Sequence, residues 1–118
     1  MRPSRPLEEE PNINAAAARL IVEELARLGV TYFCVAPGSR SSPLAAAAGA
    51  HPLVRAVPCL DERALAFHAV GYGRATGRPA AVLTSSGTAV FNTSPAVVEA
   101  NQAGGPLLLL PSPSRRRR

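Results

Sequence analysis

Three short polar segments of this sequence contain residue types that bind or activate small ligands. They are residues 37–43 (PGSRSSP), 61–63 (DER) and 85–88 (SSGT), and each follows a short apolar run. They hold hydroxyls, glycines and charged side chains, the groups that contact anions and polar ligand edges. They form a single site only if the intervening elements bring them together.

The segment at residues 37–43 has the composition of an anion-binding loop. Gly38 lets backbone N–H groups approach an anion, and Ser39 adds a hydroxyl donor. Arg40 can hold a carboxylate with two parallel hydrogen bonds. A polar loop in which proline begins the next helix explains the same residues equally well. Local sequence leaves both interpretations open.

The DER segment allows two roles for its acidic residues. Asp61 and Glu62 stand before a helical pattern, where carboxylates cap a helix and interact favourably with its dipole. Alternatively, Glu62 faces a nitrogen heterocycle and shares a proton with it. Capping is the commoner use of such a pair, and the sequence alone does not exclude the second role.

The SSGT segment and the histidines carry weaker signals. Residues 85–88 open a helix after a strand, which suits an anion or the polar edge of a ligand but also an ordinary helix cap. His51 and His68 have no partner at a metal-ligand spacing and are predicted to be structural or exposed. Gly71 and Gly73 fall inside a helical pattern, so helix packing is expected there rather than a nucleotide-binding turn.

Apolar patterns predict four helices that alternate with four strands. The helices are expected near residues 15–28, 44–50, 62–76 and 89–103, and the strands near 30–36, 53–60, 80–84 and 106–110. Helical connections between strands imply a parallel sheet with helices on both faces, so the fold class is α/β with an open parallel sheet. Ligands of such sheets bind at the carboxyl ends of the strands. The three polar segments are therefore predicted to lie at one edge.

Single residues refine these boundaries. Asn12 or Asn14 is expected to cap the first helix, and Gly29 to end it. Pro58 suggests that the second strand ends irregularly or lies near a sheet edge. The third helix is expected to bury most of its large or apolar residues: Leu65, Phe67, Ala69, Val70 and Tyr72.

Length and charge limit the possible classes of protein. The 118 residues suffice for one domain, and residues 1–11 read as a flexible N-terminal segment. The net charge of +5 depends on the four arginines at 115–118, because the other 9 basic residues nearly balance 8 acidic ones. Residues 111–118 are expected to be a disordered basic tail. No interleaved aromatic residues accompany the charge, so a nucleic-acid partner is not expected.

Cysteines and apolar runs bear on the compartment. Cys34 and Cys59 lie in predicted strands and are expected to be reduced, buried thiols. No apolar run approaches the roughly 20 residues that a membrane helix needs, so no membrane span is expected. Residues 1–10 have the features of neither a secretory signal nor a transit peptide. The compartment stays open on these grounds.

Three longer strings resemble one enzyme family. They are TYFCVAPGSRSSPL (31–44), CLDERALAFHAVGYGRATG (59–77) and LTSSGTAVFNTSPAVVEA (83–100). They resemble 2-succinyl-5-enolpyruvyl-6-hydroxy-3-cyclohexene-1-carboxylate synthases, and most closely the synthase part of plant and algal phylloquinone-pathway proteins. The resemblance covers residues 12–110 and implies a partial pyrimidine-binding domain of a thiamine-diphosphate enzyme.

The resemblance also implies a reaction and residue roles. These synthases decarboxylate 2-oxoglutarate on thiamine diphosphate and add the product to isochorismate, in menaquinone and phylloquinone biosynthesis. Glu62 matches the glutamate that exchanges a proton with N1′ of the cofactor, which leads to loss of the thiazolium C2 proton. Ser39 and Arg40 match contacts to a substrate carboxylate. Gly87 and Thr88 match a segment near the cofactor.

Other expected parts of the enzyme lie outside this chain. In the family, a second domain holds Mg²⁺ or Mn²⁺ and the diphosphate, and the cofactor lies at the interface of a homo-oligomer. The 118-residue chain alone is therefore expected to be inactive. The arginine-containing run that follows the fourth strand in the family is replaced here by PSPSRRRR, so its role is not assigned to Arg115. A plastid is expected for a plant or algal protein and the cytoplasm for a bacterial one. The alternative is a non-catalytic α/β binding module derived from this fold.

Overall fold

Helices alternate with four-residue strands in the computed structural model, which describes residues 12–36, 42–85 and 88–111. The elements are α1 (Ile13–Arg27), β1 (Tyr32–Val35), α2 (Ser42–Ala50), β2 (Arg55–Pro58), α3 (Glu62–Thr76), β3 (Ala81–Thr84), α4 (Thr88–Phe91), α5 (Ser94–Ala103) and β4 (Leu108–Pro111). The predicted alternation is confirmed. The predicted N-terminal segment, residues 1–11, and the tail beyond Pro111 lie outside the described residues.

The four strands form one parallel sheet in the order β2-β1-β3-β4. In the register, Phe33 of β1 pairs with Ala56 of β2 on one side and with Ala81 of β3 on the other. Every pairing is parallel, as the helical connections predicted. The predicted fold class, an open parallel sheet in an α/β domain, is therefore confirmed.

Two apolar layers cover opposite faces of the sheet. On one face, α1 and α2 bury Val22 and Ala48 against Phe33 and Leu83. On the other face, the residues buried between α3 and the sheet are Cys34, Ala36, Leu65, Ala69, Ala80 and Val82. α5 packs on α3 through alanines and a valine. The core is thus built largely from small residues, which let helices and strands approach closely.

The first helix begins and ends at residues that the sequence indicates. The Asn12 Oδ1 accepts a hydrogen bond from the Ala15 N–H at 2.8 Å, so Asn12 rather than Asn14 is the cap. Leu28 ends the helix, and Gly29 follows with φ at 90°, a left-handed conformation that glycine adopts without strain. The expectation that Gly29 terminates α1 is confirmed.

The third helix buries a narrower stripe than its apolar residues suggested. Leu65, Ala69 and Val70 are buried as expected, but Phe67 keeps 39% of its surface exposed. Phe67 stands two residues after Leu65, which rotates it about 200° around the helix and away from the sheet. Burial of Phe67 was wrongly predicted. Gly73 lies on the buried side, which confirms the packing role expected for it, whereas Gly71 is exposed and the same expectation for Gly71 is wrong.

The single helix predicted over residues 89–103 is wrong, because the chain forms α4 and α5 with a break at Asn92 and Thr93. Pro95 lies in the first turn of α5. It has no N–H with which to continue a hydrogen-bond ladder from α4, and in a continuous helix its ring would clash with the carbonyl group four residues earlier. Pro95 therefore starts a new helix.

The strands are shorter than predicted at most of their ends. β2 ends at Pro58 and occupies a sheet edge, as Pro58 indicated. Cys59 consequently lies just after β2 rather than within it. Cys34 lies within β1 and is fully buried, Cys59 is half-buried, and both are free thiols.

Candidate functional site

The carboxyl ends of β1, β2 and β3 lie side by side at one edge of the sheet. β1 is the central strand of the three, and all of them run in the same direction. Hydrogen bonds join the strands up to this edge: the Ala36 N–H donates to Leu83 O at 3.0 Å, and the Cys59 N–H to Val35 O at 3.1 Å. The points from which all three polar segments depart are therefore adjacent.

The strand order creates a crevice between β1 and β3. From β1 the chain passes through α2 to β2 on one side, and from β3 it passes through α5 to β4 on the other side. α2 packs with α1 on one face of the sheet, whereas α5 packs with α3 on the opposite face. The two connections thus leave the edge in opposite directions. In parallel sheets this switch point is where ligands bind.

Several predicted site residues lie outside the described part of the chain. Ser39 and Arg40 follow β1, and Gly87 follows β3, each in a segment for which no structure is described. Thr88 is described as the exposed first residue of α4. α4 has only one turn, so its dipole provides little attraction for an anion. The structure leaves the roles of these four residues as predictions.

Asp61, and not Glu62, caps α3. The Asp61 Oδ1 accepts a hydrogen bond from the Arg63 N–H at 2.9 Å, and the Asp61 carbonyl accepts the first helical bond from the Leu65 N–H at 2.9 Å. Glu62 is the first residue of the helix. The side-chain cap therefore belongs to Asp61, and the proton-sharing role of Glu62 stays a prediction.

The Glu62 carboxylate is half-buried and has no protein partner among residues 12–36, 42–85 and 88–111, in which no hydrogen bond or ion pair to it is found. It stands at the positive end of α3, where the helix dipole favours its charge. A half-buried carboxylate that neither caps its helix nor pairs with a cation can bind a donor from a ligand. Glu62 is therefore the best-placed described residue for such contact.

The surface beneath the first turn of α3 is formed by residues that the sequence interpretation overlooked. By the strand register, Ala36, Cys59 and Thr84 occupy one row on the face that α3 covers. Thr84 is only 2% exposed. The Cys59 Sγ lies 3.7 Å from the Asp61 carbonyl oxygen, a weak hydrogen bond to the turn that carries Glu62. Side chains alternate between the two faces of a strand, and counting this alternation along β2 and β3 could have identified the row.

The histidines have structural contacts, as predicted. His51 Nε2 lies 2.7 Å from Glu23 Oε2, and its Nδ1 accepts a hydrogen bond from the Leu53 N–H at 3.1 Å. His68 Nε2 lies 2.6 Å from the Tyr32 hydroxyl. Within the described ranges, no group of three or more His, Cys, Asp or Glu side chains is arranged to hold a metal ion. Those same ranges also contain no helix long and apolar enough to span a bilayer.

Comparison with known families shows the family to which the chain belongs. The family model described as thiamine pyrophosphate enzyme, N-terminal TPP binding domain, matches residues 15–118. The chain belongs to this family. The thiamine pyrophosphate enzymes use thiamine diphosphate as their cofactor, and the match includes all three polar segments and Glu62.

Two similar proteins have informative names. The chain is 62% identical over 104 residues to Protein PHYLLO, chloroplastic, of Arabidopsis thaliana. This match covers 88% of the present chain and 6% of the Arabidopsis protein. It is 60% identical over 100 residues to the 2-succinyl-5-enolpyruvyl-6-hydroxy-3-cyclohexene-1-carboxylate synthase of Rubrobacter xylanophilus, which covers 85% of this chain and 17% of that protein. The chain thus spans a small part of the relatives that it matches.

The described residues fit one part of the thiamine pyrophosphate cofactor. Its aminopyrimidine is a planar heterocycle whose ring nitrogens can hydrogen-bond to a carboxylic acid. Glu62 offers a carboxylate at the edge of the sheet that has no partner among the described residues. Ala36 and Thr84 are buried beneath the first turn of α3, so of the row below it only Cys59 is partly exposed. This arrangement suits the pyrimidine rather than the highly charged diphosphate.

Proposed function

We propose that this chain is the cofactor-activating N-terminal domain of a 2-succinyl-5-enolpyruvyl-6-hydroxy-3-cyclohexene-1-carboxylate synthase. Such an enzyme decarboxylates 2-oxoglutarate and joins the product to isochorismate, so its class is a decarboxylating transferase. The family match and the names of the relatives support this assignment. The observation that carries it is Glu62, a half-buried residue at the ligand-binding edge whose carboxylate has no hydrogen-bond or ion-pair partner among the described residues.

Glu62 holds a proton between its carboxylate and N1′ of the aminopyrimidine. When bound, thiamine pyrophosphate supplies a carbon nucleophile and an electron sink for the decarboxylation of a 2-oxo acid. The hydrogen bond from Arg63 to Asp61 fixes the helix start, so the Glu62 side chain is not needed as a cap. Partial burial limits water around the carboxylate and strengthens its hydrogen bond to the ring nitrogen.

The substrate side of the crevice is assigned to the segments that follow β1 and β3. Ser39 and Arg40 bind a substrate carboxylate, Arg40 through two parallel hydrogen bonds. Gly87 and Thr88 approach the cofactor from the β3 side. The strand order supports this arrangement, because it makes these two segments neighbours at the switch point.

The complete active site requires groups supplied from outside this domain. In the proposed enzyme, a second domain binds the diphosphate through Mg²⁺ or Mn²⁺, and that domain belongs to another subunit of a homo-oligomer. The name of the Arabidopsis relative includes the word chloroplastic, which supports a plastid location if this chain comes from a plant or an alga.

A substitution at Glu62 tests the proposed proton exchange. In the complete synthase that carries this domain, Glu62→Gln keeps the shape of the side chain but cannot share an acid proton. The rate at which the C2 proton of bound thiamine diphosphate exchanges for deuterium should fall by about 10²–10⁴-fold, the range typical of positioned proton transfer. The expected change in the free energy of unfolding is at most about 1 kcal/mol.

Asp61→Ala is the matched control, because Asp61 holds the helix cap and has no proposed proton role. It should lower the free energy of unfolding by about 0.5–2 kcal/mol and affect C2 exchange much less than Glu62→Gln does. Normal C2 exchange in Glu62→Gln would contradict the proposal and favour a non-catalytic binding module.

A further inference from the structure

Cys34 and Cys59 form a pair of free thiols beside the proposed site. Cys34 of β1 pairs in register with Val57 of β2, and Cys59 follows Val57 by two residues in the direction of β2. Side chains two residues apart point to the same face, and both cysteines belong to the apolar layer beneath α3. From strand spacing and rise, their Cα atoms lie about 8 Å apart.

The two thiols differ in access and reactivity. Cys34 is fully buried, and burial together with the neighbouring Cys59 thiol raises its pKa to about 11. Cys59 is half-buried and follows the edge strand β2, with its N–H bonded to the Val35 carbonyl oxygen of β1 at 3.1 Å. A soluble oxidant therefore reaches Cys59 first, since exposure and thiolate character govern thiol oxidation.

We propose that Cys59 is a peroxide-sensitive modification site, that Cys34 resolves its oxidised form into a disulfide, and that this bond displaces the turn that carries Asp61 and Glu62. That this displacement affects catalysis rests on the function proposed above for Glu62. The formation of the disulfide does not, because it depends only on the positions and exposure of the two thiols.

The chemistry needs a hydroperoxide, such as hydrogen peroxide, as the oxidant. The Cys59 thiolate attacks one peroxide oxygen, the O–O bond breaks, and the other oxygen leaves as water after taking a proton, which gives a sulfenic acid. The Cys34 sulfur then attacks the Cys59 sulfur, the S–O bond breaks, and hydroxide leaves as water with the Cys34 proton. Two thiols lose two electrons in total, and the peroxide becomes two waters.

The geometry predicts which part of the structure moves when the bond forms. A disulfide needs Cα atoms about 4.4–6.8 Å apart, so this pair must approach by about 1–4 Å. β1 is paired on both sides, whereas β2 is an edge strand and Cys59 follows its end. The Cys59 side therefore moves, and it gives up the hydrogen bond from the Cys59 N–H to Val35 O. That movement breaks the contact of Cys59 Sγ with the Asp61 carbonyl and disturbs the cap at Arg63.

The first test follows the thiols in the purified 118-residue chain under native conditions. After treatment with hydrogen peroxide and alkylation of remaining thiols, the mass of the intact monomer should show the loss of two hydrogens and no alkylation. In Cys34→Ala, dimedone should trap a sulfenic acid at Cys59. In Cys59→Ala, the Cys34 thiol should survive the same exposure. Absence of the intramolecular disulfide in the unsubstituted chain, or equally fast oxidation of Cys34 in Cys59→Ala, would overturn the proposal.

The second test measures the turn by hydrogen exchange and mass spectrometry. Exchange at the Arg63 and Leu65 amides, which bond to Asp61, should rise by about fivefold in the oxidised chain, as expected for a weakened helix cap. Cys59→Ala treated with the same peroxide is the matched control and should not change. Unaltered exchange in the disulfide form would refute the displacement. Neither test involves the cofactor, so their outcome is independent of the Glu62→Gln experiment.

Discussion

Two glycines of α3 provide a sharp test of how this helix packs. A Cβ atom on Gly73 would lie 2.7 Å from the Pro106 carbonyl oxygen, whereas one on Gly71 would meet nothing within 4 Å. Both glycines lie inside the same helix, so alanine at either position gains the same helix propensity, about 1 kcal/mol. Only Gly73→Ala also creates a clash, and it is with a backbone atom that cannot rotate away.

The two variants are expected to differ in stability. Gly71→Ala should raise the free energy of unfolding by up to about 1 kcal/mol. Overpacking typically costs about 1–3 kcal/mol, so the free energy of unfolding of Gly73→Ala should be lower than that of Gly71→Ala by this amount. At roughly 4–8 °C per kcal/mol for a domain of this size, the two melting temperatures should differ by at least several degrees. This difference in stability reports on the contact between α3 and the segment that leads into β4.

Urea denaturation followed by far-ultraviolet circular dichroism measures both variants against the unsubstituted chain. The free energy of unfolding should decrease with urea concentration at the same slope in all three proteins, since the surface exposed on unfolding hardly changes. Equal stability of the two variants would refute the close approach of α3 to Pro106. A stabilised Gly73→Ala would show that this helix can shift away from the sheet without loss of free energy.

Two further predictions concern acid stability and substrate binding. The pKa of the Glu23 carboxyl lies below its ordinary value of 4.5, mainly because His51 donates a hydrogen bond to it, and Arg27 adds to the effect. Because the folded-state pKa is lowered, the Glu23 carboxylate stabilises the fold above pH 4.5, and this contribution is lost as the pH falls through the folded-state pKa. Glu23→Gln should therefore flatten the acid side of a plot of the free energy of unfolding against pH. An unchanged plot would contradict this prediction. In the complete synthase, Arg40→Ala should lower kcat/KM for the oxo acid by an amount equivalent to about 2–5 kcal/mol if the pair is buried, and unaltered kinetics would return this loop to a purely structural role.

The sequence by itself determined the elements and the type of sheet. Local signals such as Asn12, Gly29 and Asp61 fix where helices begin and end, because capping groups satisfy backbone atoms within a few residues. The three helical connections between strands imply parallel pairing, so the convergence of three polar segments could be inferred without coordinates. Pro95 was also a local signal, and the break between α4 and α5 could have been predicted from it.

Tertiary structure alone decided which partner each residue meets. The order β2-β1-β3-β4 arises from packing on both faces of the sheet, and no local pattern encodes it. That order places the switch point between β1 and β3 and brings Cys59 beside Cys34. Such features depend on contacts between residues distant in sequence, whose free energies are summed over the whole core, whereas the caps and turns depend on a few neighbouring residues.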